Sequence, residues 1–292
     1  MPQFALLLTT IVWGATFPAT KAALEQIAPL SFLFLRFSLG LVVVLAVLLL
    51  TGKRLRSDAF TMRVSLIATS WLFLGYVLQT VGLRFTTASN SAFITVLYVV
   101  FVPLYLRRLG FHTWLSNGIA LIGLWFLVRP TASANWGDLM TLASAAAFAA
   151  HMVCLERYTR TADPTSLFAW QLLFMAVALL GAMWWERPTT SMFEPSRTLI
   201  VGLTVTGVLA TGAFAVQMWA QQLLPAQQVA LLFAAEPAVA AWLAWYFLGE
   251  TLDATGWLGS VMILGGVLIG SWTTGDISPQ RSHSAPVHSE GG

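Results

Sequence analysis

Glu236 is the most informative polar residue of the chain, because it lies in the middle of a long apolar segment. It is the ninth of the 21 residues Gln228–Leu248. A charge at this depth in a membrane helix costs ~2.5–3.5 kcal/mol on insertion scales, so its presence requires a reason. Pro237 follows and cannot donate to the carbonyl of Phe233, which leaves a free acceptor nearby. The pair predicts a proton or substrate site, or alternatively a structural carboxylate bonded to a neighbouring helix.

Three further polar side chains are candidates for substrate binding. His151 is the only histidine within an apolar segment, and imidazole exchanges a proton near neutral pH. Gln79 and Gln217 occupy matching places in two similar stretches, which predicts two facing amides suited to the polar end of an amino acid. Polar contacts that hold helices together are the competing interpretation for all three.

Three aromatic side chains complete the candidate site. Tyr76 stands three residues before Gln79 and therefore on the same helical face. Tyr98 and Trp170 also lie within apolar segments, and all three rings are predicted to stack on a substrate ring. Most of the thirteen tryptophans lie near segment ends, which indicates an interfacial belt.

The segments that carry these residues are long enough to cross a bilayer. Of 292 residues, 58% are hydrophobic and only 9% are charged, against about 25% charged residues in soluble domains. Continuous apolar runs of ~20 residues favour helices, because membrane strands alternate apolar and polar residues. The sequence predicts an all-α integral membrane protein with ten transmembrane helices: Phe4–Thr20, Leu30–Leu50, Met62–Gly82, Ser89–Leu106, Thr113–Val128, Gly137–Leu155, Thr165–Trp185, Arg197–Ala220, Gln228–Leu248 and Thr255–Trp272.

The ten spans divide into two groups of five that resemble each other. Gly75–Gln79 in the third span is similar to Ala213–Gln217 in the eighth. Each half then continues with a polar turn and a span interrupted by a proline. It ends with a Trp that is followed nine residues later by a Gly. The prolines are Pro103 and Pro237, and the last pairs are Trp114 with Gly123 and Trp257 with Gly266.

An odd number of spans per unit means that the second copy enters the membrane upside down. We therefore predict an inverted-topology repeat of residues 1–130 and 131–273, followed by a disordered polar tail at 274–292. Inverted repeats recur in secondary transporters, whose substrate lies near the midplane between the halves. Similarity by composition alone, between apolar helices, is the alternative explanation.

The same motifs resemble the drug/metabolite transporter superfamily, in particular the EamA-type ten-helix exporters. Trp13–Phe17 with Lys21 is similar to the opening helix of that family, and Leu35–Phe37 to its second-helix arginine motif. In the second half, Glu236–Ala241 and Leu248–Glu250 are similar to its glutamate-proline helix and terminal Gly-Glu. The resemblance covers residues 1–273. The first half departs from it, because Phe111 stands where the second half has Glu250.

Within the family, Ser91–Pro103 is most similar to the branch that contains the YddG aromatic amino-acid exporters. The resemblance implies an inner-membrane exporter of aromatic or hydrophobic amino acids and similar metabolites. The partners expected are therefore a small-molecule substrate and the lipid bilayer. We expect no nucleic acid, because a clustered basic face is missing.

Other function classes lack their motifs. The chain has no nucleophile elbow, no zinc-protease motif and no P-loop, so an intramembrane enzyme and ATP-driven transport are disfavoured. Cys154 is the only cysteine, which excludes an intrachain disulfide and a thiolate cage. We expect no cofactor and no metal. A channel remains an alternative, although no filter motif is present.

Loop charges predict the orientation. With the N-terminus inside, nine of the fifteen Lys and Arg residues lie on the cytoplasmic side, and the cluster Lys53–Arg63 contributes most of this excess. Both termini are therefore predicted to be cytoplasmic. Arg36 and Lys21, at the outer ends of the first two helices, are predicted to reach lipid phosphates.

Prolines and glycines predict bends and close contacts. Gly14, Pro18, Pro103 and Pro237 are the predicted hinge residues, since proline removes a helical hydrogen bond. Gly266 and Gly270 form a G-x-x-x-G motif, which allows close packing within the chain or a homodimer through the tenth helix.

Overall fold

A computed structural model describes residues 2–108, 110–128, 135–186, 195–238 and 254–275, without the side chains of Ser89 and residues 271–275. The described chain is helical. The predictions for Val239–Leu248, for Gly249 and Glu250 and for the tail lie outside the described residues. The helices are α1 (Pro2–Ala23), α2 (Pro29–Thr51), α3 (Ala59–Gly82), α4 (Ala88–Thr95), α5 (Tyr98–Tyr105), α6 (Phe111–Val128), α7 (Trp136–Tyr158), α8 (Pro164–Glu186), α9 (Arg197–Leu203), α10 (Ala210–Gln221), α11 (Ala226–Phe233) and α12 (Ala254–Gly275).

Six helical segments are long and apolar enough to cross a membrane by length and composition: Pro2–Ala23, Pro29–Thr51, Ala59–Gly82, Trp136–Tyr158, Pro164–Glu186 and Arg197–Gln221. Shorter apolar helices cover Asn90–Tyr105, Phe111–Leu127 and Ala254–Gly270. The all-helical membrane fold is thus confirmed. The count of ten spans stays a prediction, because the ninth leaves the described residues after Ala238.

Local signals explain where several helices begin. Asn135 accepts a hydrogen bond from the backbone of Asp138, whose carboxylate accepts one from Asn135 in return, and this capping box starts α7. Asp58 caps α3 by accepting from Thr61, and the hydrogen bonds from Thr61 lower the pKa of the Asp58 carboxyl. Helix α2 ends at Gly52, whose φ of 65° is the left-handed conformation that glycine adopts without strain.

Three spans are interrupted within the described ranges, and the interruptions differ from the predicted proline breaks. The fourth predicted span is divided by a turn at Val96–Leu97, whereas Pro103 lies inside α5. The carbonyl of Val99, which Pro103 leaves free, accepts a 2.7 Å hydrogen bond from Asn117 Nδ2 on α6. A structural donor therefore occupies the acceptor that we predicted as part of a hinge.

The other two interruptions lie in the second half of the chain. A turn at Ala234–Ala235 follows α11, and the chain is helical again at Glu236. Between α9 and α10, the residues Thr204–Leu209 form a π-helical segment. Single π turns inside α-helices leave backbone groups out of the regular ladder and are frequent at functional sites.

Glycines set the closest helix crossings. A Cβ atom on Gly123 of α6 would lie 2.7 Å from the carbonyl oxygen of Gly259 on α12, and one on Gly266 would lie 2.7 Å from that of Ser116. Gly270 faces Ser116 and Leu231. The G-x-x-x-G motif therefore contacts helices of the same chain, and a homodimer through α12 would require a different face of that helix.

Candidate functional site

A cavity lies in the middle of the helix bundle, between residues of the first and second halves. Its volume is about 70 Å³, enough for on the order of five waters. Helices α1, α3, α7 and α10 line it, together with α4, α5, α11 and the helical turn that begins at Glu236. The lining residues are Trp13, Thr16, Phe17, Leu72, Tyr76, Gln79, Thr95, Tyr98, Phe148, His151, Met152, Phe214, Gln217, Phe233 and Glu236.

Six of the seven predicted substrate-binding residues line this cavity: Tyr76, Gln79, Tyr98, His151, Gln217 and Glu236. Trp170 does not. Its indole Nε1 donates a 2.9 Å hydrogen bond to the carbonyl of Arg56, and its ring stacks on Phe174. The prediction for Trp170 is therefore wrong, because the indole is bound by the loop between α2 and α3 at one end of the bundle.

Each amide or imidazole of the cavity has a partner that fixes its orientation. Gln79 Nε2 donates to Thr95 Oγ1 at 3.0 Å, and Gln217 Nε2 donates to Gln221 Oε1 at the same distance. His151 Nε2 lies 2.9 Å from Gln171 Oε1. With the amide oxygen as acceptor, Nε2 carries the proton and Nδ1 remains an acceptor.

Two donors facing the cavity have no partner among the described residues. Trp13 Nε1 and Tyr98 Oη are buried and make no hydrogen bond there. A buried polar group without a partner costs about 1–3 kcal/mol. A solute with acceptor atoms would therefore gain hydrogen bonds from both donors when it binds in this cavity.

Glu236 is buried with 8% exposure and begins the helical turn after the break at Ala234–Ala235. Its carboxyl group faces the Tyr98 hydroxyl at short range, although no regular hydrogen bond joins the two. The break therefore brings a carboxyl group and a free donor to the same wall.

Aromatic rings form the other walls. Phe214 contacts Trp13 edge to face, with ring centroids 4.7 Å apart, and lies 6.3 Å from the His151 ring. Tyr76 packs edge to face on Phe148, with centroids 5.1 Å apart. Phe148 fits because Gly75 has no Cβ, which would lie 2.6 Å from that ring. The cavity is thus a set of rings around a few polar groups.

Arg36 lies behind this wall, and the prediction that it reaches lipid phosphate is wrong. It is buried, with 4% exposure. Its Nη2 donates to Tyr76 Oη at 3.0 Å, and its Nε donates to the carbonyl of Thr206 in the π segment at 3.1 Å. The guanidinium carbon also lies 4.3 Å from the centre of the Tyr76 ring. The π segment supplies a carbonyl that holds the arginine inside the bundle.

Hydrogen bonds close both ends of the bundle. Glu156 binds Arg108 through Oε1 at 3.4 Å and accepts from the backbone of Ala226 through Oε2 at 2.9 Å. At the opposite end Thr86 donates to Asp138, while Lys21 Nζ donates to the carbonyls of Leu83 and Thr86 at 2.6 and 2.8 Å. Lys21 thus binds protein carbonyls, contrary to the prediction that it reaches phosphate.

A second set of hydrogen bonds at the Lys21 end links the two halves of the chain. Glu186, the last residue of α8, accepts from the backbone of Leu30 at 2.8 Å and of Ser31 at 3.3 Å. These donors are the unpaired amides at the start of α2, where a carboxylate is also favoured by the helix dipole.

Several cavity residues were not predicted as substrate contacts. Phe214 could have been found from its alignment with Tyr76 in the two similar stretches. Thr95 and Phe148 carry no sequence signal of their own. In the described ranges no three His, Cys, Asp or Glu side chains are grouped as metal ligands would be.

Named relatives cover nearly the whole chain. An uncharacterized transporter of Archaeoglobus fulgidus is 32% identical over 273 residues, which are 91% of this chain and 84% of that protein. The uncharacterized transporter YoaV of Bacillus subtilis is 24% identical and covers 93% of this chain and 97% of its own length. The uncharacterized inner membrane transporter YedA of Escherichia coli is 27% identical, with 92% and 90% covered.

The fold is also found in a crystal structure that covers 96% of this chain and 98% of its own, with a TM-score of 0.73 and 16% identity. The model of the EamA-like transporter family matches residues 1–129 and again residues 135–272. The relatives are named as transporters and not as enzymes. With this match over nearly its full length, the chain belongs to the EamA-like transporter family of multi-pass membrane proteins.

Proposed function

We propose that the chain is a secondary transporter that exports aromatic or hydrophobic amino acids and similar small metabolites across the inner membrane. The observation that supports this best is the cavity, which combines aromatic walls with a carboxyl group and two unpartnered donors. Binding sites for small molecules have this composition, with apolar walls and a few convergent polar groups.

The polar groups suit the two ends of an amino acid. The carboxyl group of Glu236 would accept from the substrate ammonium. Trp13 Nε1 and Tyr98 Oη would donate to the substrate carboxylate, which would satisfy two groups that have no partner in the described chain. The rings of Tyr76, Phe148 and Phe214 would contact the apolar side chain.

We further propose that the two halves form an inverted repeat, related by an axis through the cavity. The crossing of α6 and α12 supports this. Gly123 packs on Gly259, and Gly266 packs on Ser116. Gly266 lies as many positions after Gly123 as Gly259 lies after Ser116, so the two contacts are equivalent under the repeat. Reciprocal contacts of this kind are the signature of a twofold interface.

Transport by alternating access then requires the hydrogen bonds and ion pair at one end of the bundle to break while the contacts at the other end stay formed. The described conformation has both sets formed and a cavity too small for an aromatic amino acid, since ligand pockets are usually about 300–1,000 Å³. We interpret this conformation as occluded. Release to one side would break the Arg108–Glu156 ion pair, and release to the other would break the contacts of Lys21 and Glu186.

A counterflow assay tests the proposal. Purified protein in liposomes loaded with unlabelled phenylalanine should take up labelled phenylalanine, with saturation and with competition by tryptophan. Liposomes without protein, and liposomes loaded with a sugar, are the controls. An ohmic current without saturable counterflow would instead support a channel, and saturable counterflow of other metabolites only would contradict the amino-acid assignment.

A further inference from the structure

A second concavity lies on the outside of the bundle, away from the central cavity. It has a volume of about 430 Å³ and runs between the last part of α2, the start of α8 and the span formed by the π segment and α10. We call it the lateral groove. Its lining residues include Val44 and Val47 on α2, Phe168 on α8, and Gly212 and Trp219 on α10.

The polarity of the lateral groove changes along its length. Its inner part is apolar, and the one hydroxyl there, Thr211 Oγ1, already donates to the carbonyl of Gly207 at 2.6 Å. Polar lining residues stand at the end where α10 finishes and α8 begins, namely Gln222 and Thr165. A ligand that fits must be apolar along most of its length and polar at one end.

Basic residues outnumber acidic ones near the polar end, where the Asp163 carboxylate accepts from the backbone of Ser166. The loop after α2 carries Lys53, Arg54 and Arg56, all exposed and without a carboxylate partner among the described residues. The backbone amide of Arg56 donates to Ser166 Oγ at 2.8 Å, next to Thr165 of the groove. The loop is therefore held at the mouth of the lateral groove.

We propose that the lateral groove binds one anionic phospholipid. An acyl chain occupies the apolar part, because this face of a membrane-spanning helix bundle is surrounded by hydrocarbon. The phosphate lies at the mouth, where Lys53, Arg54 and Arg56 neutralise it. A basic residue near a membrane surface favours an anionic lipid by about 1 kcal/mol, or about fivefold in affinity.

Glycines allow a matched test of the acyl-chain part. A Cβ on Gly212 would meet no atom within 4 Å, so Gly212→Leu fills the lateral groove without disturbing the bundle. Gly181 on α8 is equally open but lies outside the groove, so Gly181→Leu is the control. Val47→Phe narrows the groove from its opposite wall and serves as the second variant, should Gly212→Leu not fold.

The measurement is native mass spectrometry of the full chain in detergent, with phosphatidylglycerol or phosphatidylcholine of identical acyl chains. The wild type should retain one phosphatidylglycerol roughly five- to thirtyfold more than phosphatidylcholine. Gly212→Leu and Val47→Phe should lose both lipids, and Gly181→Leu should retain them. Lys53→Ala with Arg54→Ala should weaken the preference for phosphatidylglycerol without loss of lipid binding, because only Arg56 remains at the mouth. Arg84→Ala with Arg197→Ala, at the other end of the bundle, should leave the preference unchanged.

Three results would overturn the proposal. One is a wild type that shows no preference between the two lipids, and another is equal lipid retention by Gly212→Leu, Val47→Phe and Gly181→Leu. The third is unchanged lipid retention together with blocked counterflow in both groove variants, which would assign the lateral groove to a transported solute. Because lipid retention is measured without any transported solute, failure of the assignment to amino-acid export would leave this test unaffected.

Discussion

The rings of Tyr76 and Phe214 lie side by side at the central cavity, with centroids 6.2 Å apart and planes inclined by 60°. Each stands three residues before a glutamine that also lines the cavity, Gln79 or Gln217. In a twofold arrangement, equivalent residues meet at the axis itself. The contact therefore supports placing the axis of the proposed repeat through the cavity.

The hydroxyl of Tyr98 gives the sharpest test of substrate binding. Tyr98→Phe removes a buried hydroxyl that faces Glu236 but makes no regular hydrogen bond in the described chain, so the melting temperature should change little. If the hydroxyl binds substrate, the apparent KM for counterflow should rise about tenfold. Tyr105→Phe, on the exposed end of the same helix, is the control and should change neither value. An unchanged KM in Tyr98→Phe would remove this residue from the site.

Glu236 tests proton coupling. Glu236→Gln keeps the size of the neutral side chain but cannot release a proton. We expect this variant to exchange substrate across liposomes without a pH gradient and to fail to accumulate substrate when a gradient is applied. Glu25→Gln, which changes an exposed carboxylate, should accumulate like the wild type. Wild-type accumulation that ignores the gradient would contradict the coupling, and a variant that neither folds nor exchanges would make Glu236 structural.

Four glycines on α6 and α12 test the helix crossing. Gly123→Ala and Gly266→Ala each place a Cβ within 2.7 Å of a backbone atom of the other helix, and each should destabilise the protein by about 1–3 kcal/mol. Gly118→Ala and Gly265→Ala meet no atom within 4 Å and should be neutral or stabilising. The stability of each variant is measured by thermal unfolding, with size-exclusion chromatography as the readout of folded protein. Equal effects of all four substitutions would show that the crossing is not tight.

Arg36 tests the contact between α2 and the π segment. Arg36→Lys cannot donate to Thr206 and Tyr76 at once, because an ammonium lacks the fork of the guanidinium. A lost bond to a buried group costs about 1–3 kcal/mol, so the melting temperature should fall. Arg63→Lys, on an exposed position of α3, should have no effect. An equally small effect of both substitutions would mean that lysine replaces the arginine fully.

Epitope tags test the predicted orientation. Tags after Gly292 and within the loop at residues 52–58 should both be cytoplasmic, because the Lys53–Arg63 cluster lies on that side. In intact cells neither should be accessible to antibody, whereas a tag in the loop between α8 and α9 should be. Surface labelling of either of the first two tags would reverse the orientation, and opposite results for them would exclude ten spans.

The membrane-spanning helices and much of the cavity were predictable because charge and amide groups are rare in apolar helices. Glu236, His151, Gln79 and Gln217 each stood out for this reason, and all four line the cavity. The turn at Val96–Leu97 was not predictable in the same way. Neither residue is a helix breaker, and the proline that the sequence does offer, at position 103, is accommodated inside α5 by a donor from α6.

The direction of side chains was the second feature that could not be predicted from the sequence. A membrane helix is apolar on every face, so periodicity does not tell which residues point inward. Trp170 and Arg36 were both assigned wrongly for this reason. Trp170 is held by a loop carbonyl 114 positions earlier in the chain, and Arg36 by a carbonyl 170 positions later. Partners at such separations follow from the assembled bundle only.

Arg36 would make the bundle sensitive to membrane voltage if α2 moved between two transport states. It lies about 11 Å from the start of α2, roughly a third of the way through the hydrocarbon layer, and has no carboxylate partner among the described residues. A full elementary charge crossing the membrane changes the energy by about 2.3 kcal/mol per 100 mV. If an exchange between states moved α2 by a tenth of the membrane thickness, the electric field would bias it by ~0.2 kcal/mol per 100 mV.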